Sequence, residues 1–199
     1  MRRQTAVKLI PALLATTIVA LACENPSSVA PQRPSFATSD GNTDRITGGG
    51  KLDDGRDFAT FGFNARDGQG ELQWVQHCLD GVTGSATCAL GGFTFHGSTV
   101  VGYGFDPDDP DHCRVWSGTG DANFKDLNTT STGTFSAEAC DFGEPGRDND
   151  TMCFSVSTTA GVYIRGDGVE SSEILNGGNI QLHGRATEPS TETCGSSPV

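Results

Sequence analysis

The sequence predicts an all-β domain, an antiparallel β-sandwich or a closed β-barrel of roughly nine or ten short strands. Three observations carry that expectation. Apolar residues recur at every second position in several short runs, the repeat of a half-buried strand. Beyond the N-terminal segment, no window holds the i, i+3, i+4, i+7 spacing of an amphipathic helix. The 27 glycines fall between β-branched and aromatic runs without a G-X-Y repeat, as in turn-rich β proteins.

Taken in order, Ile46-Thr-Gly-Gly-Gly50 reads as a flexible entry to a first strand. Asp57-Phe-Ala-Thr-Phe-Gly-Phe-Asn-Ala-Arg66 sets Ala59, Phe61, Phe63 and Ala65 on one face. A hairpin through Asp67-Gly-Gln-Gly70 joins it to Glu71-Leu-Gln-Trp-Val-Gln-His77, because Asp-Gly tolerates the positive φ of tight turns. Further strands are expected at Gly92-Phe-Thr-Phe-His96, Ser98-Thr-Val-Val-Gly-Tyr-Gly-Phe105 and Cys113-Arg-Val-Trp-Ser117. Thr134-Phe-Ser-Ala-Glu-Ala139 and Phe154-Ser-Val-Ser157 flank a loop broken by Gly143, Pro145 and Gly146, which makes a long-looped hairpin. Val162-Tyr-Ile-Arg165 and Asn179-Ile-Gln-Leu-His183 complete the set.

The ends point to export. Arg2, Arg3 and Lys8 precede a short apolar run over residues 9–21 and a small-residue junction at Ala22-Cys23, the pattern of a signal segment. Val19-Ala20-Leu21-Ala22-Cys23 further resembles a lipobox, with Cys23 as the lipidated first residue of the mature chain. Glu24 after the lipidated residue favours the outer membrane by the same analogy. Residues 23–44 are poor in large apolar groups and read as a disordered tether. The organisation expected is therefore a leader over 1–22, the tether, one β-rich domain over 45–185 and a polar tail over 186–199.

Charge excludes a class of partner. The chain carries −12 at neutral pH, and loss of the leader's three basic residues leaves 10 basic against 25 acidic groups, −15. Nucleic-acid binding needs basic side chains to neutralise phosphates, so it is not expected. The membrane is met through the anchor instead, and a glycan or a cell-surface protein is the remaining kind of partner.

Besides Cys23, six cysteines remain: Cys78, Cys88, Cys113, Cys140, Cys153 and Cys194. An even set in an exported chain reads as three disulfides, with 15 pairings open to it. Pairing near neighbours gives Cys78 with Cys88 and Cys140 with Cys153, and leaves Cys113 to pin the tail through Cys194.

Several of these pieces, in order, resemble the post-COAP domains of bacterial secreted proteins. They are Ile46-Thr-Gly-Gly-Gly50, Ala59-Thr-Phe-Gly-Phe-Asn-Ala-Arg66, His96-Gly97, Asp141-Phe-Gly-Glu-Pro-Gly146 with Asp150-Thr151, and Gly177-Gly-Asn-Ile-Gln-Leu-His183. Phe142 stands where the family form has Asn, and the cysteines around that loop are additional. The resemblance implies one exported β-rich domain and no particular activity.

Candidate chemistry is sparse. Asp141, Glu144, Asp148 and Asp150 lie in one loop, and alternating acids suit structural Ca²⁺, which takes six to eight oxygens. Asp106-Pro-Asp-Asp-Pro-Asp111 is a second, stiffer acidic stretch. His77, His96, His112 and His183 lack zinc-site spacing, and no cofactor motif occurs. No G-x-S-x-G elbow supports a serine nucleophile, and a disulfide-bound Cys113 offers no thiolate to His112. Trp74, Tyr103 and Trp116 are the candidate ligand-binding residues, as a sugar-stacking platform, against the competing expectation that strand aromatics fill a core. The expected role is a non-catalytic, envelope-anchored binding or display domain. The rivals are a carbohydrate-binding module and an extracytoplasmic hydrolase whose site assembles only in the fold.

Overall fold

The computed structural model describes residues 44–54, 57–78, 88–166, 173–186 and 188–195. The expected leader, the expected lipidation site Cys23 and the expected tether up to residue 43 lie outside the described residues. Ten strands run in the order β1 (Arg45–Asp54), β2 (Asp57–Arg66), β3 (Gln69–His77), β4 (Phe93–Phe105), β5 (Cys113–Phe124), β6 (Thr129–Cys140), β7 (Thr151–Thr158), β8 (Gly161–Arg165), β9 (Glu173–Ile174) and β10 (Gly177–His183). The described residues contain no α-helix.

All pairings between these strands are antiparallel. They make one strongly curled, half-barrel sheet ordered β10-β1-β2-β3-β4-β5-β6-β7-β8, with β9 on β7. Eight strands follow one another as a meander, and the last returns to pair with the first. The fold class expected from period-two alternation is the fold observed.

Details differ where glycine hides the alternation. The stretch Gly48-Gly-Gly50 lies inside a ten-residue strand rather than at its entry. A Cβ on Gly48 would come within 2.9 Å of Ile180 and 3.0 Å of Phe63, and one on Gly50 within 2.6 Å of the Gly177 carbonyl. Those glycines let β2 and β10 close in on both sides of β1. The two strands expected over 92–105 are one, β4, with register shifts between Gly97 and Thr99 and between Val101 and Gly104. Strand β5 runs on past Ser117 to Phe124. The β2–β3 turn is the tight two-residue form at Asp67-Gly68, with Gly68 at φ +66°.

The concave face holds the core. Phe61, Phe63, Trp74, Phe93, Phe95, Phe124, Phe135 and Phe154 are buried there with aliphatic residues from every long strand. Trp74 stacks on Phe154 at 4.5 Å and on Phe61 at 5.6 Å between ring centroids. Each fully buried Phe contributes about 1.5–3 kcal/mol.

An ion pair fixes the start of the domain. The Arg114 guanidinium, 1% exposed, grips the fully buried Asp44 carboxylate at 2.9 to 3.2 Å and also donates to the carbonyls of Pro110 and Cys113. Asp44, expected as the last residue before the domain, is thereby packed into it. Removing one partner of such a pair strands a buried charge and costs about 3–5 kcal/mol.

The disulfides correct two of the three expected pairings. Cys78–Cys88 is present, but Cys113 bonds Cys140 and Cys153 bonds Cys194. Sequence proximity of Cys140 and Cys153 misleads because the sheet sets Cys113 directly opposite Cys140 on neighbouring strands. The tail is pinned after all, to Cys153 on β7. On its way it forms a strap: Phe105 N–H donates to Glu188 O, Ser190 N–H to Phe105 O, and Ser190 Oγ to Gly102 O.

Non-reducing peptide mapping is expected to recover Cys113 with Cys140 and Cys153 with Cys194; a peptide joining Cys140 to Cys153 would contradict the fold. Closing the 41-residue span of the latter bond is worth about 4 kcal/mol on the chain-entropy view, so Cys194→Ser should lower unfolding stability by an amount of that order in denaturant titrations.

Candidate functional site

The acidic loop between β6 and β7 uses its carboxylates as hydrogen-bond acceptors for β10. Strand β10 pairs with β1 on one side, which leaves alternate N–H groups on its other side without a strand. Asp150 Oδ2 accepts from Ile180 N at 2.7 Å, and Asp141 Oδ2 from Leu182 N at 2.8 Å. Their second oxygens accept from Phe142 N and Gly143 N, each at 3.0 Å, so the same carboxylates also shape the loop. Glu144 accepts from the Asn179 and Gln181 side-chain amides. Asp148 stands out in solvent beside Arg147, at φ +65°.

These four residues were the calcium candidates. They form no ligand-spaced group among the described residues, and Asp141, Glu144 and Asp150 are each hydrogen-bonded to β10. Two groups do have ligand spacing, Asp57 with Cys78 and Cys88, and Glu138 with Cys113 and Cys140. Both contain the sulfurs of a disulfide, which offer no thiolate to a metal. In the stretch over 106–111, Asp106 accepts from Asp108 N and Asp109 holds His112 Nδ1 at 2.8 Å.

The carboxylates titrate apart. Burial pushes the Asp150 carboxyl up, against the two backbone donors and with the help of Asp141 and Glu144. The amides of Asn179 and Gln181 hold Glu144 below its ordinary value.

The aromatic platform does not exist. Trp74 and Trp116 are fully buried in the core, and Tyr103 packs against it, half-covered. A pleated strand turns alternate side chains to one face, and these face inward. Burial, then the negative charge of Asp44, raises the Tyr103 hydroxyl's pKa.

The histidines stay apart. His77 stacks on Phe58 at 4.2 Å, His112 packs at a tilt on Phe142 at 5.1 Å, His183 meets Thr47 Oγ1 at 3.1 Å, and His96 is exposed on β4. Ser117 donates to the Val101 carbonyl rather than to a base.

The convex face carries a feature that strand-by-strand reading misses. Register places Thr99, Thr119, Thr134 and Ser157 directly opposite one another across β4 to β7. Adjacent strands are about 4.8 Å apart, so these hydroxyls form a ladder at that pitch. A parallel row, Ser117, Ser136 and Ser155, lies one outward position away and is buried. An open groove of about 370 Å³ runs beside the exposed ladder, lined by Thr119, Thr132, Gly133, Thr134, Ser157, Thr158 and Thr159. None of the lining residues is ionisable. Thr132 Oγ1 donates to Asp121 at 2.7 Å, and Ser131 and Thr159 share a hydrogen bond at 2.8 Å.

No protein-family model, curated protein or solved structure matches this chain. The groove offers neutral donors, acceptors and methyl groups, without a general base or an activated nucleophile in its lining. The signal that could have found it was the run of outward Thr and Ser at alternate positions in β5 to β7.

Replacing Asp150 by Ala should cost about 2–3 kcal/mol, since it orphans the buried Ile180 N–H. A side-chain carboxyl titration by NMR is expected to show Asp150 above and Glu144 below the ordinary carboxylate range. The signs oppose: the Glu144 contribution is present at neutral pH and lost as pH falls through its depressed pKa, whereas protonation of Asp150 favours the folded state, an effect lost as pH rises through its elevated pKa. Reversed positions of the two titrations would contradict the burial of Asp150 and the amide contacts of Glu144.

Proposed function

We propose that this chain is a non-catalytic, envelope-anchored β-domain that binds or displays a neutral ligand at the bacterial surface. The observation that carries the reading is the groove beside the threonine ladder, built without an ionisable group in its lining. Catalysis of hydrolysis needs a positioned acid, base or activated nucleophile, and a lining of Thr, Ser and Gly supplies recognition chemistry only. Neutral hydroxyls in an otherwise acidic chain favour an uncharged, polyhydroxylated or amide-rich partner over an anionic one.

The anchoring half rests on the sequence: the basic and apolar leader, the lipobox around Cys23 and the polar segment after it. Three disulfides in the domain agree with an oxidising compartment outside the cytoplasm. Kinship with the post-COAP domains is part of the same proposal.

The test is a glycan and small-ligand screen on the soluble domain, followed by the Thr119→Val and Thr134→Val variants. Valine keeps the β-branched shape and removes the hydroxyl. Binding should fall about tenfold or more in the double variant while the melting temperature stays within a few degrees, as loss of one or two neutral hydrogen bonds implies. Binding that survives both substitutions would move the site elsewhere, and turnover of a screened ligand would reject the non-catalytic reading. Separately, Cys23→Ala should shift the protein from the membrane to the soluble fraction; retention in the membrane would reject the anchor.

A further inference from the structure

The turn that leads into β5 surrounds one peptide bond with polar groups. Asp109–Pro110 is a tertiary amide, whose nitrogen would leave as a secondary amine. The Asp109 carbonyl accepts two backbone N–H groups, from Cys113 at 3.0 Å and from His112 at 3.4 Å. The Asp109 carboxylate holds His112 Nδ1 at 2.8 Å through Oδ1, and its Oδ2 has no hydrogen-bond partner among the described residues. The far side of the bond is fixed as well. The Pro110 carbonyl accepts from Arg114 Nη1 at 2.9 Å, and that guanidinium is itself buried on Asp44. Pro110 and His112 are open to solvent.

The parts of an acyl-transfer site thus gather on one residue. Two N–H groups aimed at a carbonyl oxygen stabilise the negative charge that it gains when its carbon is attacked, and one such donor is worth about 10²–10³ in rate. A carboxylate on the same residue reaches that carbon by closing a five-membered ring, so it attacks as an intramolecular nucleophile. An imidazole bonded to the carboxylate can give the departing nitrogen its proton. The two backbone bonds also close the turn, so what shapes the loop polarises its carbonyl.

We propose that the chain cuts itself once, at Asp109–Pro110. Asp109 Oδ2 attacks the Asp109 carbonyl carbon and forms a cyclic anhydride. The C–N bond to Pro110 breaks, and the Pro110 nitrogen takes a proton from the His112 imidazolium. Water then opens the anhydride, which leaves Asp109 as a C-terminus with two carboxylates and returns a proton to His112. One water is consumed and no other reactant is needed. The pieces 1–109 and 110–199 stay assembled, because β4 pairs with β5 and β1 with β10 across the cut. None of the three disulfides joins them, since Cys78–Cys88 lies in the first piece and the other two in the second. The reaction acts once, on the chain itself, and is independent of the groove on the convex face.

Asp106–Pro107 supplies an internal control. It is the same dipeptide in the same loop, but its carbonyl accepts no hydrogen bond among the described residues, and its carboxylate accepts from Asp108 N instead of holding a histidine. The test incubates the full chain for days in mildly acidic buffer, which supplies the proton that the departing amine needs, both folded and in guanidinium chloride. Fragments are read by denaturing gel, intact mass and N-terminal sequencing. We expect a single cut with a new N-terminus at Pro110, about a hundredfold faster in the folded chain than in the denatured one. Asp109→Asn should abolish the cut, His112→Gln should slow it about tenfold or more, and Asp106→Asn should leave it unchanged. No cut in the folded chain would overturn the proposal. Equal cutting at Asp106–Pro107, or equal rates in the folded and denatured chains, would also overturn it and leave only the ordinary acid lability of Asp–Pro bonds. If Asp109→Asn does not fold, the internal control and the denatured chain decide it.

Discussion

A curled sheet that stops short of a full circle must do something with its last strand, and here carboxylates take the place of a neighbour. Backbone N–H groups of Ile180 and Leu182 would be costly to leave unpaired beside a core. Asp150 and Asp141 reach across from the β6–β7 loop and accept from them at ordinary hydrogen-bond length. The loop is held in turn by Leu175, whose N–H donates to Asp150 O and whose carbonyl accepts from Asp148 N. The segment around β9 and Leu175 thus carries the chain from the β7 side of the sheet to β1. Without this set of side-chain bonds, β10 would hang from β1 alone. Three of the four acids that suggested a metal site, Asp141, Glu144 and Asp150, are spent on holding β10.

That arrangement explains what the sequence made legible and what it did not. Alternation is a property of one strand, so β2, β3, β7 and β8 could be read from their own residues. Pairing belongs to two strands at once. The Cys113–Cys140 bond, the serine and threonine rows and the carboxylates of β10 all depend on register, which no single run of residues encodes. Glycine compounds the difficulty. Gly48, Gly50, Gly118 and Gly120 sit inside strands because a neighbour comes too close for a Cβ, the Thr99 carbonyl lying 1.8 Å from where a Cβ of Gly118 would be. Such positions look like breaks until the neighbour is known. Trp74 and Trp116 were open to two readings, and strand parity together with the ring contacts decides for the core.

The distribution of charge separates the two ends of the domain. The stretches over 106–112 and 141–150 meet at one end, where His112 O accepts from Asp141 N and the His112 ring packs on Phe142. The groove lies farther along β6 and β7, toward their opposite ends, with an uncharged lining and the Asp121 carboxylate bound to Thr132 at its side.

The Arg114–Asp44 pair has a mechanical consequence. Asp44 immediately precedes β1, and β1 lies between β2 and β10, hydrogen-bonded along both edges. A pull on the chain ahead of Asp44 would meet the bidentate guanidinium first. Beyond it, the force would run along the axis of β1 and load the two ladders in shear, many bonds together, instead of peeling an edge strand one bond at a time. A domain drawn from that end would resist by many bonds at once.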